Sequence, residues 1–61
     1  MENWQYEYAI ELLKKGRKAI EEERKMLIEN IKLLDKRTQN GKMAAIFNDA
    51  HLYVVEKLLE I

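Results

Sequence analysis

Apolar residues recur along residues 4–37 in doublets spaced by seven: Leu12-Leu13, Ala19-Ile20, Met26-Leu27 and Leu33-Leu34. The column Leu13, Ile20, Leu27, Leu34 is apolar throughout, and Leu12, Ala19, Met26, Leu33 form a second column beside it. A two-stranded coiled coil needs only a narrow seam, whereas two adjacent columns make a stripe wide enough to touch two neighbours. The opposite side carries Glu11, Lys15, Lys18, Glu22, Lys25, Glu29 and Lys32. Opposite charges four residues apart on that side suit a solvated helix face. The pattern predicts a long helix over about 3–38, with Asn3 as its N-cap and Lys36 and Arg37 favourably placed near its C-terminus.

Thr38-Gln39-Asn40-Gly41 is the strongest turn signal in the chain, because Asn and Gly both tolerate positive φ. A second helix is predicted over about 42–60, and Asn40 is an alternative N-cap for it. Met43, Phe47, Ala50, Val54, Leu58 and Ile61 form one stripe on this helix, extended by Ile46 and Tyr53, and Ala45, Leu52, Val55 and Leu59 lie on another side. Only Asp49, Glu56 and Glu60 make a clearly polar strip, so the second helix should be central.

At 1.5 Å per residue the long helix measures about 50 Å and the short one about 27 Å. A single folded-back hairpin would leave the apolar N-terminal half, from Tyr6 to Leu13, in water. Two copies remove the mismatch, and the expected assembly is an antiparallel dimeric four-helix bundle with isologous contacts. Its interface would use Tyr6, Ile10, Leu13, Ile20, Leu27, Phe47, Val54 and Leu58. The competing fold is a monomeric three-helix bundle in which the first helix breaks at Gly16, since Lys14-Lys15-Gly16 resembles a helix C-terminus with its glycine cap. Against a break, the doublet spacing passes through Gly16 without a phase slip, and only Arg17-Lys18 would remain to form a turn.

Length and composition sharpen the picture. Sixty-one residues allow one domain, and a core this small rarely supplies more than about 3–5 kcal/mol without a disulfide, a metal or a partner subunit. Cysteine is absent and His51 is the one histidine, so oligomerisation is the remaining remedy. Eleven basic residues balance eleven acidic ones, which removes the electrostatic footprint of a strong nucleic-acid binder. No membrane-spanning run is present, the first residues lack the pattern of a signal peptide, and the expected setting is cytoplasmic.

Chemistry is hard to find. There is no serine, and Thr38 is the one threonine, so almost no conventional nucleophile exists. No catalytic residue, cofactor or metal site is expected. His51 has Phe47, Asn48, Val54 and Val55 at helical spacing, none of which completes a ligand set, and a hydrogen-bonded, partly buried role fits it better. Trp4 and Tyr8, one turn apart at the N-terminus, combine the side chains most enriched at binding hot spots, although aromatics can equally cap the end of a bundle. Arg17 and Arg24, seven apart, could pair with a partner's carboxylates or with Glu21 and Glu23 of their own chain. The functional expectation is a small protein-binding regulator or inhibitor with a larger protein as partner, using Trp4, Tyr8, Arg17 and Arg24. A nucleic-acid-binding dimer using the Arg17/Arg24 side is the alternative.

Overall fold

The computed structural model describes residues 2–61, which form three helices: α1 Asn3–Lys15, α2 Arg17–Leu33 and α3 Gln39–Leu59. The described residues contain no strand. The continuous helix expected over about 3–38 does not form, because Gly16 breaks it. Gly16 has φ +98° and ψ 168°, a backbone region that L side chains rarely adopt and glycine enters freely. Its N–H donates to Leu12 C=O at 3.2 Å while its own C=O accepts from Ile20 N–H at 3.2 Å. One residue therefore ends α1 and starts α2, and no further turn residues are needed.

The break changes which member of each apolar doublet faces inward. Leu12 is buried before it and Ile20 and Leu27 are buried after it, whereas Leu13 is 55% exposed and Met26 48% exposed. The seven-residue spacing is intact in sequence, but the reorientation at Gly16 switches the core from one column to the other.

The second connection also differs from expectation. α2 stops at Leu33, and α3 begins at Gln39 with Thr38 as its cap, so Asn40 lies within the first turn. The Thr38 hydroxyl accepts from Gly41 N–H at 2.9 Å and donates to Asp35 C=O at 3.0 Å. Asp35 in turn accepts from the Arg37 backbone N–H at 3.0 Å and from its Nε at 3.1 Å. The Arg37 guanidinium, then its backbone N–H, hold the Asp35 carboxyl below the usual carboxylate range. Gly41 is required here by crowding, since a Cβ at that position would run into the Asp35 carbonyl. At the N-terminus Glu2, not Asn3, is the cap, and the Gln5 side chain accepts from Glu2 N–H at 2.8 Å.

α1 folds back on α2, and α3 returns along both. Trp4 stacks with Phe47 and Tyr8 meets His51, so α1 and α3 run parallel, with α2 antiparallel to them. The core comprises Leu12, Ile20, Leu27 and Val55, with Tyr8, Leu52, Leu58 and Leu59 packed against it. Val54 and Val55 are 1% and 0% exposed. Because α1 is short and folded back, Trp4, Tyr8 and Leu12 find cover within their own chain.

The cover is incomplete. The molecule measures 35 × 23 × 16 Å with a radius of gyration of 12.1 Å, against about 10.5 Å expected for this length. Its accessible surface is 4779 Å², where about 4,200 Å² is ordinary for a folded monomer of 7.3 kDa. Among the large apolar residues left exposed are Tyr6, Ile10 and Leu13 on α1, and Met43, Ile46, Phe47 and Tyr53 on α3. Among the described residues no helix is long and apolar enough to cross a membrane.

Candidate protein-binding site

Two side chains one turn apart on α1, Trp4 and Tyr8, face two that are one turn apart on α3, Phe47 and His51. The parallel course of the helices brings the four rings into one cluster. The His51 ring centroid lies 4.6 Å from Trp4, 4.7 Å from Tyr8 and 4.6 Å from Phe47. Trp4 and Phe47 stack 6.2 Å apart with their planes within 9°. Such offset and edge-on arrangements suit the ring quadrupoles and stabilise each pair by about 0.5–1.5 kcal/mol beyond simple burial.

Polar atoms fix the orientation of these rings. His51 Nδ1 sits 2.8 Å from Phe47 C=O, one turn back on α3. A carbonyl only accepts, so Nδ1 carries a proton in this contact. The Tyr8 hydroxyl donates to Glu23 Oε2 of α2 at 2.9 Å. Partial burial, then the hydrogen bond to Glu23 and its negative charge, push the Tyr8 phenol well above its ordinary value of 10.0. Trp4 Nε1 donates to Glu2 at 3.1 Å.

The cluster is only half covered. Trp4, Tyr8 and His51 are half-buried and Phe47 is 65% exposed. On one side lies a groove of about 560 Å³ between α1 and α3, lined by Trp4, Glu7, Tyr8, Glu11, Phe47 and His51. On the other lies a hollow of about 320 Å³ lined by Trp4, Met43, Ile46, Phe47 and Ala50. Trp4 and Phe47 belong to both and form the ridge between them.

The remaining candidates sit elsewhere. Arg17 Nε pairs with Glu21 at 3.3 Å and Arg24 Nε with Glu56 of α3 at 3.8 Å, all four side chains being substantially exposed. Exposed pairs of this kind contribute about 0–1 kcal/mol. They also leave the Arg17/Arg24 side with acids interleaved among its basic groups. Tyr6, Ile10 and Leu13 remain open to solvent, Ile20, Leu27 and Val54 are buried inside the single chain, and Leu58 packs half-buried against the core. Among the described residues no group of three His, Cys, Asp or Glu side chains is placed to hold a metal ion.

Sequence reasoning singled out Trp4 and Tyr8 but not His51, Glu7, Glu11, Met43 or Ile46 as members of the same surface. Glu7 and Glu11 follow Trp4 and Tyr8 by three residues on one helix, and the signal on α3 was the matched spacing of Trp4/Tyr8 and Phe47/His51, each four residues apart. It becomes informative only when α1 and α3 are known to run parallel. No protein-family profile matches the chain, and neither does any curated protein or solved structure.

Proposed function

We propose that this chain is a small helical regulator or inhibitor that binds a larger protein, and that it works as a homo-oligomer. The observation that carries the reading is the exposed apolar face of α3, where Met43, Ile46 and Phe47 lie in solvent beside the Trp4 ring. Isolated exposed apolar side chains are ordinary, whereas a contiguous patch joined to aromatic anchors marks an interaction surface.

Self-association has a separate seat on α1. Tyr6, Ile10 and Leu13 recur at i, i+4 and i+7, and all three are about half exposed. Antiparallel pairing of two copies along this stripe would bury it and leave the α3 face free for the partner. The surface in excess of that of an ordinary monomer supports such pairing.

Two variants separate these roles. Ile46→Asp should leave helicity unchanged and weaken capture of the protein partner from the native host by about thirtyfold, the effect of losing an anchor of about 2 kcal/mol. Ile10→Glu should leave capture possible but return the mass of a single chain in light scattering. Binding by Ile46→Asp that equals the wild type would remove the α3 face from consideration.

A further inference from the structure

We infer that the partner segment presents an arginine next to an apolar side chain, the arginine entering the groove between α1 and α3. This inference rests on the protein-binding reading above and names the chemistry of its partner. The two hollows beside the Trp4–Phe47 ridge differ in character. The hollow toward Met43, Ile46 and Ala50 has no charged lining residue. The groove on the other side has ring faces and, as its acidic lining residues among those described, Glu7 and Glu11. Among the described residues neither carboxylate is in an ion pair.

A positive charge from outside is what this groove complements. Glu7 and Glu11 are one helical turn apart and present two acceptors along one wall, while the rings offer negative π faces. A planar guanidinium satisfies both demands, because it forks onto carboxylates and stacks on aromatic rings, whereas an ammonium is a compact point charge with neither the fork nor the flat face. Trp4 and Phe47 line both hollows, and alternate side chains of an extended segment lie about 7 Å apart on one side of the chain. A leucine and an arginine two residues apart therefore straddle the ridge, one side chain in each hollow.

Trp4 is the single tryptophan, so its emission reports occupancy directly. The experiment titrates the full chain with the blocked tripeptide acetyl-Leu-Gly-Arg-amide and with acetyl-Leu-Gly-Gln-amide. Both are repeated on the variant carrying Glu7→Gln and Glu11→Gln, whose exposed positions leave helicity unchanged. The expected result is a saturable shift with the arginine peptide and about fivefold weaker binding of the glutamine peptide. The double variant should lose that preference, binding the two peptides alike. Equal binding of both peptides to the wild type, a preference that survives in the double variant, or no shift at tens of millimolar peptide each overturns the inference. These outcomes are distinct from failure of the protein-binding reading, which is decided by Ile46→Asp and partner capture. Loss of capture in that variant with no charge preference in the peptides leaves the reading standing and removes the arginine.

Discussion

The last two turns of α3 and the stretch before them use similar residues to opposite ends. Val55 is sealed by Leu12, Ile20 and Leu27, and both it and Val54 beside it have almost no exposure. Around Phe47 and His51, two turns earlier, larger rings meet Trp4 and Tyr8 yet stay half open. Apolar character alone does not separate the two regions. What separates them is how many neighbouring helices reach each one, since α1 ends its useful coverage at Trp4 and leaves the outward side of α3 bare. The sealed region supplies stability, and the open one is available for recognition.

Substitutions can break this contrast. The largest effect is expected from Val54→Asp, which places an unpaired charge in the sealed region. That costs several kcal/mol against a total stability of about 3–5 kcal/mol, so far-UV circular dichroism should show an unfolded chain. Retained helicity would mean that the sealed region is not the core. Gly16→Ala comes next, at about 1–2 kcal/mol, because a Cβ is strained at φ +98°. Denaturant midpoints should fall accordingly, and the aromatic contacts should loosen before the α2/α3 seam does, because only α1 depends on that bend. A Trp4 emission unchanged while the midpoint falls would count against this order.

Trp4→Ala combined with Tyr8→Ala is expected to be milder than Val54→Asp. Helicity should persist with a loss of about 2 kcal/mol or less, below the 3–5 kcal/mol seen for fully buried aromatics, while partner capture is lost. Collapse of the fold would make the aromatic end part of the core and dissolve the contrast between the two regions.

The smallest expected effect is in the alkaline range. Tyr8 holds its proton more tightly folded than unfolded, so its contribution is fully present below pH 10.0 and declines as pH rises through the folded value. Tyr8→Phe should be slightly less stable at pH 8, by about 1 kcal/mol for the lost hydrogen bond to Glu23, and should lose less stability between pH 10 and 12 than the wild type. Parallel stability profiles for the two proteins would show that the Tyr8–Glu23 bond does not persist in solution.

Helical character was legible throughout, because two apolar columns at a seven-residue spacing and the absence of proline leave no other periodicity. The break at Gly16 was legible only as one of two arrangements. Lys14-Lys15-Gly16 marks a helix end, yet an uninterrupted apolar spacing argues for continuity, and sequence offers no measure of the backbone angle that a single glycine adopts. The placement of Trp4 and Tyr8 at a binding surface could be proposed from residue type. Their neighbours on α3, Met43 and Ile46, could not, because a helix packing that no local pattern encodes brings them there. Glu7 and Glu11 follow Trp4 and Tyr8 by three residues on α1, but only that packing makes them the wall of a groove.

The sequence by itself determined the helical character and the amphipathic pattern of the chain, since these follow from local propensity and from periodicity within one element. The tertiary structure alone decided which apolar column is buried, which residues are shared between two hollows, and where charge faces ring. Those properties depend on the rotation at Gly16 and on the parallel course of α1 and α3. Both are set by the balance of packing across the whole chain, and a spacing rule that counts residues along one helix contains no term for it.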